Sequence, residues 1–274
     1  TNCSDGTDTP GQLVNKALAE GLSVLAITDH DTTSGWAEAI SAARKPISLA
    51  LGAEISTLTE DGISVHMLGL LFDGEDSQIQ AMLSDARDTR IPRMKKMVEL
   101  LRSDGYEISM EDVIAATPEG ATLGRPHLAD ALVKNGVVKS RDEAFAELLT
   151  NDSKYYVTHA APTPEAAIRQ INQAGGVAVI AHPFASRRGE VISAATFTNL
   201  VAAGLHGIEV NHRDHSQAER EQLAQIADQL GLVKTGSSDY HGNGKLNELG
   251  ENLTDPEQWA RLESLASARR VVTK

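Results

Sequence analysis

The chain alternates short apolar runs of strand length with segments whose apolar residues recur at helical spacing. The first helical segment begins after Thr9 and Pro10, a typical cap and first-turn pair. Further helices are predicted at Ser34–Ala43, Thr163–Ala174 and Gln217–Leu230. Strands are predicted at Ser23–Thr28, Ile47–Ile55, Ile63–Phe72, Val177–Ala181, Gly207–Asn211 and from Leu232 onward. Such alternation predicts an α/β fold.

The middle of the chain has a different pattern. From about Gly74 to Lys154 it is charged, helix-periodic and nearly without predicted strands. Its helices are predicted at Gln78–Arg102, Met110–Ala116, Pro126–Lys134 and Arg141–Leu149. We therefore predict a small helical insertion domain at residues 75–154, between two parts of an α/β body at residues 1–74 and 155–274.

Several predicted strands end in ionisable side chains. Thr28-Asp29-His30-Asp31 follows the first strand, and by itself it is equally compatible with a solvated turn that caps the next helix. His182 ends a second strand, while Asp239 and His241 end a third at a spacing that places both on one face. In a β/α barrel such carboxyl ends meet at one mouth.

Two further strands carry single ionisable residues, Glu54 and His66. Burying either one unpaired would be costly, although His66 alone is also compatible with a hydrogen-bonded core histidine. Imidazole and carboxylate groups that converge on one mouth are the ligands that Zn, Mn and Fe prefer. The pattern as a whole therefore predicts a metal site.

Composition narrows the classes of partner. The formal net charge of −13 argues against binding to long nucleic acid, which requires a basic surface. A small phosphorylated substrate remains compatible if metal ions supply local positive charge. No apolar run approaches the roughly 20 residues of a membrane helix, so no membrane partner is expected. Because Cys3 is the single cysteine, no intrachain disulfide can form, which favours a reducing, cytoplasmic setting.

The insertion contains a candidate anion site, Gly124-Arg125-Pro126-His127. Pro126 suits the first turn of a helix, and Arg125 and His127 lie at its positive end. Arg90 and Arg93, one helical turn apart, are weaker candidates that also fit an ordinary charged helix face. The remaining histidines are predicted to lie on the surface. These are His159, His206 and His212.

Taken in order, these motifs resemble the PHP (polymerase and histidinol phosphatase) metal-dependent phosphoesterases. The motifs are Ser4-Asp5-Gly6, Thr28-Asp29-His30-Asp31, Gly52-Ala53-Glu54-Ile55, His66-Met67-Leu68-Gly69, Gly124-Arg125-Pro126-His127, Ala181-His182-Pro183 and Ser238-Asp239-Tyr240-His241. The Gly-Arg-Pro-His motif resembles the branch that dephosphorylates nucleoside 3′,5′-bisphosphates and trims short oligoribonucleotides. The resemblance implies a distorted (β/α)7 barrel with a helical insertion.

The resemblance also implies three divalent ions (Mn, Fe or Zn) held by imidazole and carboxylate groups. Glu54 would bridge the first two ions. His66 and His182 would complete the site of the second ion, and Asp239 would bind the first. Asp5, His30 and His241 would hold the third.

One part of the family pattern lies outside these residues. The family has a His-x-His dyad at the end of its first strand, just before the Ser-Asp-Gly turn, and this sequence begins after that point. We expect that strand and dyad to lie upstream of Thr1. An alternative is that the dyad is absent, which would leave a non-catalytic metal-binding module.

The expected reaction is hydrolysis of a phosphomonoester by a metal-bound hydroxide. Asp29 and Asp31 would orient the ligands without binding the ions themselves. Substrate contacts are expected from Arg125 and His127, from Arg187 or Arg188 after the His182 strand, and from His215, which matches a family position. The leading substrate is a nucleotide with a 3′-phosphate, and short 5′-phosphorylated RNA is a further candidate. Another small metabolite, such as histidinol phosphate, is the alternative.

Overall fold

A computed structural model describes residues 1–158, 160–186 and 189–273. The strands are β1 (Val24–Ile27), β2 (Ser48–Leu58), β3 (Ser64–Leu70), β4 (Val177–Ala181), β5 (Gly207–Asn211), β6 (Val233–Gly236) and β7 (Val272–Thr273). The helices are α1 (Pro10–Ala19), α2 (Trp36–Ala42), α3 (Ser77–Ser103), α4 (Met110–Ala116), α5 (Arg125–Lys134), α6 (Arg141–Glu147), α7 (Pro164–Gln173), α8 (Thr196–Ala203), α9 (Gln217–Leu230) and α10 (Pro256–Leu265).

The strands form one curled, mixed sheet in the order β1-β2-β3-β4-β5-β6, with β7 paired to β2. β1 pairs with β2 in parallel, as do β4 with β5 and β5 with β6, whereas β3 runs antiparallel to both of its neighbours. The predicted α/β class is confirmed. β1 and β6 are the first and last strands of this order, and within the described ranges they do not pair with each other. The predicted (β/α)7 barrel therefore stays a prediction.

The reversed direction of β3 decides where its histidine lies. His66 is the third residue of β3, and it pairs in register with Ser56 of β2 and Ala181 of β4. Both partners are near the carboxyl ends of their strands, so the amino end of β3 lies at the same edge of the sheet. An isolated parallel bridge between His30 and Glu54 extends the β1–β2 pairing to this edge.

Two main hydrophobic cores support the described part of the chain, and a third, smaller cluster packs the sheet against Leu262 of α10. The larger one packs the sheet against α1, α2, α7, α8 and α9 and includes fully buried Leu49 and Ile55. A second core lies among α3 to α6 and includes Met97 and Leu132. Burying each such side chain contributes about 1.5–3 kcal/mol. Helix α3 contributes to both cores, because Leu83 belongs to the larger one and Met97 to the second. The division into residues 1–74, 75–154 and 155–274 stays a prediction.

Local sequence signals set the helix starts. The Thr9 side chain accepts a hydrogen bond from the Gln12 amide, and Pro10 is the first residue of α1. Helices α4 and α9 and strand β5 begin and end at the predicted residues, whereas apolar spacing did not predict α8 or α10. None of the helices in the described part of the chain combines the length and apolar character that a membrane span requires.

Candidate metal centre and phosphate cavity

A cavity of about 530 Å³ opens at the edge of the sheet where His30, Glu54 and His66 meet. One wall comes from the strand ends, and the opposite wall comes from helices α3, α5 and α6. The predicted ligands that line it are Asp5, His30, Glu54, His66, His182, Asp239 and His241. The fold therefore brings together every residue that the sequence predicted as a metal ligand.

Glu54 is the centre of the first cluster. Its Oε1 atom lies 2.6 Å from His66 Nδ1 and 3.1 Å from His182 Nε2. Its Oε2 atom lies 4.0 Å from His30 Nε2. Potential ligand atoms of His30, Glu54 and His66 all lie within 4.8 Å of one another, which suits a single cation.

The second cluster joins the N-terminal segment to the C-terminal part of the chain. Potential ligand atoms of Asp5, His30 and His241 again lie within 4.8 Å of one another. His241 Nδ1 donates to the Asp239 carbonyl oxygen at 2.8 Å, so a neutral His241 ring turns its Nε2 lone pair toward Asp5 Oδ1, 3.3 Å away. Two facing lone pairs require a proton or a cation between them, so this donor set fits a metal ion.

Electrostatics keeps the central carboxyl groups ionised. Burial raises the pKa of Glu54, but the charges of His30 and His66, together with the hydrogen bonds from His182 and His66, bring the pKa well below its usual value. The pKa of Asp5 behaves alike: burial raises it, and the charges of His241 and His30 bring it well below the usual range. Both carboxylates are thus ready ligands at neutral pH.

Positive φ angles mark the ends of several strands. Asp31 has φ 53°, His182 has φ 31° and Asp239 has φ 48°. Side chains other than glycine rarely adopt this region, and each such residue costs of order 1–3 kcal/mol. Strain of this kind is typical of functional sites, where the surrounding structure imposes it.

The two aspartates beside His30 support different parts of the cavity. Asp29 accepts hydrogen bonds from Ser4 Oγ and Thr1 Oγ1, both at 2.9 Å, and so holds the segment that carries Asp5. Asp31, fully buried, accepts from the Ser56 amide at 2.8 Å. Asp31 therefore contacts β2, and it also contacts Arg90 of α3. The predicted role of both aspartates in orienting metal ligands stays a prediction.

Arg90 is the arginine that Asp31 holds. Its Nε donates to Asp31 Oδ2 at 3.1 Å, and its Nη2 donates to Ser56 Oγ at 2.8 Å. Burial raises the pKa of Asp31, but the Arg90 charge lowers it, and the net pKa is below the usual value. This pairing fixes the Arg90 side chain in the cavity wall, so the alternative of an ordinary charged helix face does not apply to it.

Arg93 of α3 and Arg125 of α5 form a second cationic group in the cavity wall. The guanidinium carbons of Arg93 and Arg125 lie 5.1 and 5.2 Å from the Tyr156 ring centroid. Arg125 Nη1 donates to Leu149 O and Asn151 Oδ1, both at 2.8 Å. Burial, followed by the neighbouring Arg125 charge, lowers the pKa of Arg93 to about 10. No carboxylate within the described ranges forms an ion pair with either guanidinium, so both favour an anion.

Two predicted substrate contacts lie away from the cavity. His127 is 2% exposed, and its Nδ1 accepts from the Gly124 amide at 3.0 Å, so it caps α5 from within. His215 is 3% exposed, donating from Nδ1 to Val210 O at 2.9 Å and accepting from the Phe184 amide. Because backbone groups occupy both ring nitrogens of His215, direct substrate contact by this residue is not supported.

The prediction that His212 lies on the surface is wrong. His212 is fully buried, its ring centroid lies 5.2 Å from that of His182, and its Nε2 lies 3.5 Å from Asp239 Oδ2. The missed signal is that His212 directly follows the apolar strand β5. His206 is half-buried and accepts from the Ala178 amide at 3.1 Å. Arg187, Arg188 and His159 lie outside the described residues.

Sequence reasoning also missed three polar residues near the clusters. Glu209, 2% exposed, accepts the His182 amide hydrogen at 2.7 Å and a hydrogen bond from Ser237 Oγ. Lys245 and Arg141 line the cavity from the loop after His241 and from α6. The signal for Glu209 was an acidic residue inside an apolar strand, the same signal that singled out Glu54.

Comparison with known proteins agrees with this geometry. The model of the PHP domain matches residues 1–156. A 3',5'-nucleoside bisphosphate phosphatase of Chromobacterium violaceum is 34% identical over 88% of this chain and 85% of that protein. The 5'-3' exoribonuclease Rnm of Escherichia coli is 34% identical over 93% of this chain and 88% of its own length.

A solved structure from Bifidobacterium adolescentis, described as a metal-dependent phosphoesterase, superposes with a TM-score of 0.92. It is 42% identical, and the match covers 97% of this chain and 94% of that one. Sequence and fold therefore agree along nearly the whole length. The chain belongs to the PHP-domain family of phosphoesterases.

Proposed function

We propose that this protein removes the 3′-phosphate from nucleoside 3′,5′-bisphosphates. The observation that carries the proposal is the pairing, in one cavity, of a carboxylate–imidazole wall with an arginine wall. The first wall suits cations and therefore the phosphate under attack. The second suits an additional phosphate on the same substrate. The similarity to the 3',5'-nucleoside bisphosphate phosphatase of Chromobacterium violaceum supports a substrate of this kind.

The proposal assigns metal binding to the predicted ligands. They are Asp5, His30, Glu54, His66, His182, Asp239 and His241. The approach of His241 Nε2 to Asp5 Oδ1 at 3.3 Å, and the two imidazoles that converge on one oxygen of Glu54, support this assignment. Three ions of Mn, Fe or Zn are proposed. Bound divalent cations supply Lewis acidity to the phosphoryl group and acidify water.

The protein's own residues would position the substrate. Arg125 and Arg93 would bind the 5′-phosphate, because a guanidinium matches phosphate oxygens in pairs and carries its charge at all physiological pH values. Tyr156, whose ring lies near both guanidiniums, would help to hold them in the cavity wall. Arg90, held by Asp31, would face the region between the walls. The 3′-phosphate would then lie at the Glu54 cluster.

This division of labour gives the insertion a role. Residues 75–154 would act as a cap that supplies the arginines, while residues 1–74 and 155–274 would supply the metal ligands of a PHP-type barrel. The second hydrophobic core among α3 to α6 supports a cap with its own packing. The distance between the cap and the barrel would then determine which length of substrate fits the cavity.

Short 5′-phosphorylated RNA is a second candidate substrate. The observation that favours it is the 34% identity to the Escherichia coli 5'-3' exoribonuclease over nearly the whole chain. Cleaving the bond between O3′ and phosphorus is the same reaction in both substrates, since the RNA merely carries a further nucleotide on that phosphate. Histidinol phosphate has one phosphate and would leave the arginine wall without a ligand, so it is disfavoured.

A phosphate-release panel tests the proposal. The metal-stripped protein, with Mn²⁺ added back, is assayed for phosphate release on adenosine 3′,5′-bisphosphate, adenosine 3′-monophosphate and histidinol phosphate. A 5′-phosphorylated diribonucleotide, whose cleavage frees no inorganic phosphate, is assayed by chromatography for nucleoside 5′-monophosphate. We expect the bisphosphate to have the highest kcat/KM and the reaction to stop without metal. A preference for histidinol phosphate, or metal-independent release, would contradict the proposal.

A further inference from the structure

Lys245 lies beside the candidate metal ligands. Its Nζ atom is 2.8 Å from Asp239 Oδ2, and its side chain, 31% exposed, lines the cavity. Its charge also helps to lower the pKa of Asp5, after burial, which raises that pKa, and after the larger effects of His241 and His30. The ammonium group therefore acts on a carboxylate of each of two neighbouring ligand sets.

The backbone holds this lysine in place. Lys245 follows a short 3-10 helix, Gly242–Gly244, in which Gly242 has φ 62° and a Cβ would clash with Thr7 Oγ1. The Asn243 amide donates to the same Thr7 hydroxyl at 2.8 Å. Buried Asn247 donates from Nδ2 to Ser238 O at 2.7 Å. The loop is thus fastened on both sides of Lys245, and little ordering remains to be done when a ligand arrives.

The other paired cations of the cavity wall are held by carboxylates outside the ligand clusters. These pairs are Arg90 with Asp31, Arg141 with Asp130 and Arg213 with Glu251. In the part of the chain that the structure describes, Lys245 differs because the carboxylate it pairs with is itself a candidate metal ligand. When a divalent cation shares the Asp239 charge, that carboxylate attracts the ammonium less, and an incoming phosphoryl oxygen is the replacement acceptor.

We propose that Lys245 is a catalytic residue whose ammonium group donates a hydrogen bond to a non-bridging oxygen of the phosphoryl group under attack. The inference rests on the proposed phosphatase function and extends it. As charge builds up on the phosphoryl oxygens, a fixed donor of this kind stabilises the transition state more than the ground state. An ammonium with three hydrogens can contact phosphate and Asp239 together.

The test compares Lys245→Ala and Lys245→Arg with the matched control Lys234→Ala, which removes a Lys–Asp pair with Nζ 2.7 Å from Asp228 on the outside of β6. We expect Lys245→Ala to lower kcat/KM about 10²-fold on mono- and bisphosphates alike. Lys245→Arg should recover part of this loss, and the control should keep full activity. Mn²⁺ titrated calorimetrically into metal-stripped protein should bind Lys245→Ala at least as tightly as the wild type.

The metal titration separates catalysis from positioning. If Lys245 only positions Asp239, its loss should weaken Mn²⁺ binding together with activity, which would overturn the proposal. Activity within threefold of wild type would overturn it too. If no phosphate ester is hydrolysed even by the wild type, the proposed function fails. Inorganic phosphate titrated into the Mn²⁺-loaded protein still tests the contact, since the proposal predicts weaker binding to Lys245→Ala, and equal binding refutes it.

Discussion

Replacing Arg125 by alanine should lower kcat/KM more for substrates with two phosphates than for substrates with one. In the folded protein the Arg125 guanidinium spans Leu149 O and Asn151 Oδ1 and faces the Tyr156 ring. These contacts hold it in the cavity with no carboxylate from the described residues paired to it. Its loss therefore removes a fixed positive charge whose expected ligand is the second phosphate.

The size of the effect follows from the type of contact. A hydrogen bond to a charged group contributes about 1.5–3 kcal/mol, and each 1.4 kcal/mol is tenfold in an equilibrium or rate ratio. We therefore expect Arg125→Ala to lower kcat/KM for adenosine 3′,5′-bisphosphate by a factor of about 10 to 150. Losing the contacts to Leu149 and Asn151 also loosens the packing of α5 against the segment after α6, but that loss falls on every substrate equally.

The informative quantity is a ratio within one variant. Phosphate release is measured for adenosine 3′,5′-bisphosphate and adenosine 3′-monophosphate, and kcat/KM for the first is divided by kcat/KM for the second. Because both substrates meet the same protein, partial unfolding cancels. The ratio should fall at least tenfold in Arg125→Ala and less in Arg125→Lys, which keeps the charge. Equal losses on both substrates would refute the assignment of Arg125 to the second phosphate.

His182→Ala or Asp239→Ala should abolish phosphate release while the circular dichroism spectrum stays that of the wild type; full activity in either would refute the ligand assignment. Glu209→Gln should weaken Mn²⁺ binding in calorimetry, since one of the two oxygens that accept from the His182 amide and from Ser237 becomes a donor NH₂ group, and unchanged affinity would exclude a positioning role. Burial lowers the pKa of His206, so folding stability should fall as pH drops below about 6.5, its unfolded value. Urea unfolding at pH 7.5 and 5.5 checks this, because His206→Asn should flatten the pH dependence.

Most of the candidate ligands were predicted because each strand end carries its own signal, whereas Asp5 was predicted only through the family resemblance. An ionisable residue next to an apolar run is visible without any tertiary information, and this is true of Glu54 and His182 alike. The direction of β3 was not visible, because strand periodicity is the same in both directions. The antiparallel pairing places His66 at the site from the amino end of its strand, where a parallel barrel would have placed the carboxyl end.

The residues that support the ligands were harder to predict. Long-range pairs such as Arg90 with Asp31 join residues 59 positions apart, and neither residue carries a local signal for the other. His212 and His215 illustrate the opposite error. Motif position suggested substrate contact for His215 and a surface position for His212, yet both rings are buried and occupied by neighbouring groups. Burial, which decides a histidine's role, depends on packing that spacing alone does not encode.

The most direct test of the central claim is the identity of the product from adenosine 3′,5′-bisphosphate. Metal-loaded protein is incubated with this substrate, and the nucleoside monophosphate formed is identified by chromatography beside both authentic standards. We expect adenosine 5′-monophosphate and inorganic phosphate in equal amounts, with neither formed after chelation of the metal. Adenosine 3′-monophosphate as the product would show that the metal centre acts on the other phosphate and would contradict the account.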